Sequence, residues 1–280
     1  MLELLSAPLY WDADPVLAHF GKIPIRWYTA MLLLGMIIAE RLISRAIKQQ
    51  GLPKDHAGPL MIYTLAGAIL GAHLGHILFY EPMSLLENPA RVFRLGGGLA
   101  SHGAALGGVL GAGIMAWRYK VKWLQYSDIT TFAFYWSIPL VRIGNLFNSE
   151  IYGRPTDLPW GIVFVRKGLT EPRHPSQLYE AILGVAFLLF CAWLVRRYHN
   201  RLTPGLLTFL MPGLYCITRF FVEFVKEYQA LTPSFPLTMG QLLSIPVSLT
   251  CGLIIWRKKL YLLRPASLPE TAAPEPPADS

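Results

Sequence analysis

The chain has 280 residues, of which 53% are hydrophobic and only 15% charged. Soluble domains carry about a quarter charged residues, so this composition, with a mean hydropathy of +0.39, argues against a soluble enzyme. The net charge is +8, but the cations fall in short runs between apolar segments, as topology signals do, and they form no patch for nucleic acid.

In chain order, Glu3, Asp12 and Asp14 precede the first cation, Lys22, which is the wrong polarity for a cleaved signal peptide. Residues 1–24 are therefore expected to stay as an outer-face segment. A first apolar segment, 25–39, opens with Arg26-Trp27-Tyr28, which reads as an interfacial anchor. The second and third, 60–80 and 99–117, carry Gly67, Gly71, Gly75 and Gly103, Gly107, Gly111 at every fourth position. Such stripes let helix backbones approach closely. A fourth segment, 129–147, is followed by a connection near 148–177 rich in aromatic, Gly and Pro residues, expected to form a small outer head. Segments 178–195, 206–225 and 239–256 complete the set. At roughly 20 residues per crossing, the expectation is an all-α integral membrane protein: a seven-transmembrane helix bundle over residues 25–260 with a periplasmic head. The tail 261–280, rich in Pro, Ala and Glu, is expected to be disordered and cytoplasmic.

Orientation follows from the cations. Fourteen Lys and Arg follow the odd-numbered segments, against eight on the opposite side. That asymmetry places the N-terminus outside, in periplasm or extracellular space, and the C-terminus in the cytoplasm. Cys191, Cys216 and Cys251 sit inside apolar stretches with no metal-ligand spacing and are expected to be inert packing.

Ionisable groups inside such segments are expensive and mark function by default. Arg142 and Asn145 stand three apart on one helix face, with Asn148, Glu150, Gly153 and Arg154 just beyond. A guanidinium fork beside an amide suits a phosphate or carboxylate. Tyr215, Arg219 and Glu223 recur every four residues along one stripe of the sixth segment, where Arg219 and Glu223 are also placed to neutralise each other. His102 lies near the start of the third segment and titrates near neutrality. His73, His76 and His102 lack a Cys or carboxylate pattern, so no metal is expected. In His174-Pro-Ser-Gln-Leu-Tyr179-Glu180 the Pro, Ser and Glu fit a helix start.

At these residues the chain resembles the prolipoprotein diacylglyceryl transferases of bacterial membranes, over about residues 23–256. The resemblance rests on Arg26-Trp27-Tyr28, His102-Gly103, and the run Arg142-x-Gly-Asn145-x-x-Asn148-x-Glu150-x-x-Gly153-Arg154. It continues through His174-Pro-Ser-Gln-Leu-Tyr-Glu180, Tyr215-x-x-x-Arg219-x-x-x-Glu223-Phe and Met239-Gly-Gln241. It implies seven transmembrane helices in the bacterial inner membrane, phosphatidylglycerol as lipid donor, and the lipobox cysteine of a preprolipoprotein as acceptor. It implies catalytic roles for Tyr28, His102, Arg142 and Arg219, and substrate binding by Arg142, Asn145, Asn148, Glu150, Gly153, Arg154, Tyr215 and Glu223. No cofactor, metal or nucleotide is implied, and membrane lipids are the surrounding partners. Four positions depart from the family pattern: Val141 and Ala104 stand where Gly is usual, and His73 and Lys226 where Arg is usual. The alternative reading is a diverged paralogue that binds or transports lipid without this transfer.

Overall fold

The computed structural model describes residues 8–94, 98–198, 201–227 and 236–264. The expected tail beyond 264 and the first seven residues of the outer segment lie outside them. The chain is mostly helical, with α1 Trp27–Gln49, α2 Ala57–Tyr80, α3 Pro82–Glu87, α4 Ser101–Arg118, α5 Trp123–Tyr135, α6 Ser137–Phe147, α7 Ser176–Tyr198, α8 Leu206–Val222 and α9 Met239–Arg257. Among the described residues, four helical stretches are long and apolar enough to cross a membrane: Lys54–Tyr80, Ser176–Tyr198, Leu206–Val225 and Met239–Arg257. Their outward faces expose large apolar side chains such as Ile62, Ile182, Leu189 and Leu249, a surface that water does not favour.

The remaining apolar segments fall short for visible reasons. Helix α1 ends in Glu40, Arg41, Arg45 and Lys48, and α4 has Ser and His at one end and Arg at the other. The segment 129–147 is broken at Trp136 into α5 and α6. Pro139 explains the break, because it offers no N–H to the Tyr135 carbonyl and its ring crowds that turn. Ser137 Oγ donates to the Phe134 carbonyl (2.6 Å), which also accepts a backbone N–H at the end of α5.

The all-α expectation needs one correction. Four short strands are present: β1 Leu9–Trp11, β2 Val16–Phe20, β3 Ile23–Arg26 and β4 Ile162–Phe164. Strands β1 and β4 pair in parallel and β2 and β3 form an antiparallel hairpin. The first pair joins the start of the chain to the segment after α6, and Trp11 Nε1 donates to the Leu146 carbonyl (3.0 Å). These contacts lie at the helix end shared by the starts of α1, α4, α7 and α9 and the finishes of α2, α6 and α8.

The glycine stripes of α2 and α4 pack directly on each other. A methyl at Gly71 would strike the Gly103 carbonyl, one at Gly107 the Gly67 carbonyl, and one at Gly111 the Tyr63 carbonyl. Backbone therefore lies against backbone, and neither stripe has room to change. Gly107→Ala is expected to destabilise the protein by about 1–3 kcal/mol, the usual cost of overpacking. A lowered melting temperature in detergent is the check; an unchanged one contradicts this packing.

Helix α8 is fixed from outside itself. It follows Gly205, whose φ of +99° suits a residue without Cβ, and it has no side-chain cap of its own. Asp128 of α5 supplies one: its carboxylate accepts from Gly205 N (2.7 Å), Thr208 N (2.7 Å) and Thr208 Oγ1 (2.6 Å). A carboxylate at the positive helix end is doubly favourable. It sets the position of the helix that carries Tyr215 and Arg219.

Candidate active site

Helix α6 places Arg142 and Asn145 side by side. Arg142 Nη1 donates to Asn145 Oδ1 (3.3 Å) and Arg142 Nη2 to the Tyr215 hydroxyl of α8 (3.4 Å). Asn145 Nδ2 donates in turn to Glu150 Oε1 (2.8 Å), which also accepts from Asn148 Nδ2 (3.1 Å). Glu150 thus fixes the amide orientation of Asn145, and Asn145 turns its oxygen to the guanidinium.

The chain after α6 is a strained turn. Ser149 and the β-branched Ile151 both have left-handed backbone, at φ +51° and +60°, a conformation that costs on the order of 1–3 kcal/mol for such residues. Two side chains at the start of α7 hold it. Ser176 Oγ donates to the Ile151 carbonyl (2.5 Å) and Gln177 Nε2 to the Glu150 carbonyl (2.7 Å). The Ser-Gln pair does more than begin a helix: it clamps the turn that presents Glu150. Gly153 is threaded between two other segments. Its N–H donates to the His174 carbonyl (2.8 Å), Arg154 N donates to the Val225 carbonyl (2.9 Å), and a side chain at Gly153 would strike that same Val225 oxygen. Arg154 Nε also donates to the Lys226 carbonyl (2.8 Å).

At the centre is Glu180 of α7. Its carboxylate pairs with Arg142 of α6, with Lys226 just past α8, and at 3.7 Å with Arg219 of α8. Glu223 pairs with Arg219 (3.5 Å) and Lys226 (3.9 Å). Arg142, Glu180, Glu223 and Lys226 are each between 3% and 8% exposed, so water screens this cluster little. Three cations face two carboxylates, which leaves an excess positive charge beside Tyr215. Gly240 at the start of α9 abuts the Glu223 carboxyl, leaving no space for a side chain there. Next to it Gln241 completes a capping box with Thr238 and reaches the Phe220 carbonyl of α8 (3.4 Å).

Arg142, Asn145, Tyr215 and Tyr28 form the polar end of a cavity of about 410 Å³. The rest of its lining is mostly apolar, from Ala68, Ala72 and Gly108 to Phe134 and Ile138, with hydroxyls such as Thr64, Thr130 and Ser137 among them. Tyr28 reaches it because Gly144 of α6 lies against the Tyr28 backbone; a Cβ there would come within 2.9 Å of the Tyr28 Cα. An apolar chamber ending in a guanidinium, an amide and two phenols can hold a molecule with one anionic group and a long apolar part.

The sequence model of the prolipoprotein diacylglyceryl transferase family matches residues 15–257. The chain belongs to the prolipoprotein diacylglyceryl transferase family. Among its relatives is the phosphatidylglycerol–prolipoprotein diacylglyceryl transferase of Gluconacetobacter diazotrophicus, 33% identical over 284 residues that span 99% of this chain and all of the relative. Proteins of the same name from Geobacter sulfurreducens and Porphyromonas gingivalis are 37% and 36% identical, covering 88% and 86% of this chain and 97% and 92% of their own lengths.

The structure brings Tyr28, Arg142, Asn145 and Tyr215 to one cavity, but the candidates do not all face one space. His102 of α4 turns toward α9, with Nε2 3.5 Å from Ser244 Oγ, while its neighbour Ser101 lines the cavity. Arg219 is paired with Glu180 and Glu223, on the same helix as the cavity residue Tyr215. Of the family departures, Val141 and Ala104 both line the cavity. Lys226 is inside the charge cluster. His73 is apart: it is buried with Nε2 2.9 Å from the Val92 carbonyl, so the His73 departure leaves the cavity lining untouched.

Glu180 is the functional residue that sequence reasoning passed over, because its position near a helix start already accounted for it. Tyr179 and His174 belong to a separate contact. Trp160 Nε1 donates to the Tyr179 hydroxyl (2.8 Å), which lies 3.1 Å from His174 Nδ1. Partial burial, and behind it the Arg154 charge, pushes the His174 imidazole below its ordinary pKa. A neutral ring then accepts the tyrosine proton.

Proposed function

We propose that this chain transfers the diacylglyceryl group of phosphatidylglycerol to the lipobox cysteine thiol of prolipoproteins, with release of glycerol phosphate, the first step of bacterial lipoprotein maturation. The observation that carries the reading is the cavity with an apolar wall and Arg142, Asn145 and Tyr215 at its polar end. The relatives' names supply the donor and acceptor classes. The protein spans the bacterial inner membrane seven times, with α5 and α6 sharing one crossing. Its N-terminus and the strand-bearing head are periplasmic and its C-terminus is cytoplasmic. This orientation gathers the basic loop runs on the cytoplasmic side and sets the charge cluster near the outer surface.

In the reaction, the thiolate sulfur attacks the glycerol carbon that bears the phosphate. A C–S bond forms, the C–O bond breaks with its electron pair going to the phosphate oxygen, and the thiol proton goes to a base or solvent. The departing phosphate is an anion, so it needs electrostatic stabilisation more than a proton. Arg142 and Arg219 supply it, with Asn145 and Glu150 fixing the Arg142 fork and Tyr215 and Tyr28 at the cavity end. His102 faces Ser244 of α9. In this reading the thiol enters on that side and the phosphate leaves on the Arg142 side.

A lipobox peptide incubated with purified protein and phosphatidylglycerol is expected to gain the mass of one diacylglyceryl group, while its Cys→Ser counterpart gains nothing. Absence of the adduct under conditions where the lipid binds contradicts the reading. A second measurement addresses the base. A free thiol titrates near 8.5, so the slowed transfer of His102→Gln is expected to recover as pH rises toward that value. A near-normal rate with an unchanged pH profile removes His102 from proton transfer.

A further inference from the structure

The hairpin of β2 and β3 carries an apolar face that no described residue covers. Phe20 pairs across it with Ile23 and Ala18 with Ile25. Residues two apart share a face, so these four side chains lie together. Phe20 is 78% exposed, Ile23 67% and Ile25 37%. His19 and Pro24, which pair with each other, occupy the opposite face. A two-stranded hairpin gains too little from its own contacts to be stable in water without a cover for its apolar face. Something must therefore lie against Phe20 and Ile23.

Three observations point to lipid. The hairpin runs directly into α1, since Arg26 is followed by Trp27, and Trp27 N donates to the Pro15 carbonyl (3.0 Å) at the base of the hairpin. Beyond that junction α1 exposes Leu33, Leu34 and Ile37, so the helix that follows the hairpin also presents apolar side chains outward. The turn at the tip is Gly21, at φ +60°, followed by Lys22. A cation beside an exposed aromatic and an exposed isoleucine fits the boundary between acyl chains and anionic headgroups. The base of the hairpin is held to the bundle, because Trp27 stacks on Phe147 of α6 with ring centroids 4.6 Å apart.

We propose that this hairpin is an interfacial anchor whose Ala18, Phe20, Ile23 and Ile25 face lies in the surface of an anionic bilayer, with Lys22 among the headgroups. It is a lipid contact separate from the cavity and does not depend on the transfer reaction. Its function is to fix the height and tilt of the α1 entrance, where Tyr28 begins the cavity wall, relative to the lipid that the cavity receives.

The test uses single cysteines introduced by Phe20→Cys, Ile23→Cys, His19→Cys and Pro24→Cys. The native Cys191, Cys216 and Cys251 are buried and leave the new thiol as the accessible one. Each full-length variant is labelled with an environment-sensitive fluorophore and reconstituted in vesicles containing phosphatidylglycerol. Spin-labelled lipid then reports contact with the bilayer, and aqueous iodide reports contact with water. Labels at 20 and 23 are expected to be quenched severalfold more by the lipid than labels at 19 and 24, with the order reversed for iodide. Equal iodide quenching at all four positions puts the face in water and overturns the proposal. Shielding of 20 and 23 from both quenchers puts protein there, from residues 1–7 or a second copy, and also overturns it. Two positions on each face guard against one substitution perturbing the fold, and transfer activity of each variant reports that the bundle is intact.

Discussion

Arg142→Ala is expected to lower transfer by about 100-fold or more, the usual cost of deleting a donor aimed at developing negative charge, while the amount of protein in membranes stays near normal. The second half of that expectation follows from the charge cluster. With Arg142 present, three cations share two carboxylates. Without it, Arg219 and Lys226 still face Glu180 and Glu223, and the cluster is balanced. Glu150 keeps its bonds from Asn145 and Asn148. The variant therefore loses the excess positive charge at the cavity but strands no buried ion. Arg142→Lys is expected to recover little, because an ammonium cannot contact Asn145, Tyr215 and a ligand oxygen through one planar fork. Headgroup release by each variant, normalised to protein in the membrane, is the measurement. Normal turnover by Arg142→Ala contradicts the assignment of the phosphate to this end of the cavity.

Glu180→Gln is expected to do the reverse: to damage the fold as well as the activity. Its carboxylate is the shared partner of Arg142, Arg219 and Lys226. Removing that charge leaves three cations, Arg142 and Lys226 buried and Arg219 partly so, with Glu223 alone. Breaking a buried pair from one side costs about 3–5 kcal/mol, because the remaining charge stays desolvated. The expected readout is a marked fall in melting temperature in detergent. Adding Lys226→Met to Glu180→Gln removes one of the stranded cations and is expected to restore part of that loss, a coupling that independent sites do not show. A Glu180→Gln protein that melts like the parent contradicts the hub.

These two residues also mark what the sequence can and cannot reveal. Arg142 and Asn145 are three apart on one helix, so their shared face follows from helix geometry alone. Glu180 meets partners from α6, α8 and the segment beyond α8, and no local spacing announces such a meeting. It had, besides, a sufficient local explanation as an acid in the first turns of α7. The glycine stripes were legible as stripes, yet only the structure shows each pressed on the other. The break at Trp136 was signalled by Pro139 within an otherwise continuous apolar run. Strands β1 and β4 are three residues each and separated by more than half of the chain, too short for periodicity to register. The hairpin left a fainter mark, a Gly-Lys pair between short apolar runs, which the search for helices overrode. His102 shares a helix start with Ser101, but adjacent helical residues point about 100° apart, and the two face different spaces.

The most direct measurement is headgroup release by the purified protein. Phosphatidylglycerol labelled in its terminal glycerol is mixed with a lipobox peptide, with and without its cysteine. The account predicts glycerol phosphate released only with the cysteine peptide, one equivalent for each diacylglyceryl group gained, and lowered by about 100-fold or more in Arg142→Ala. Lipid that binds the protein without cysteine-dependent release, over a range of donors, would contradict it and leave a binding or transport role for the same cavity.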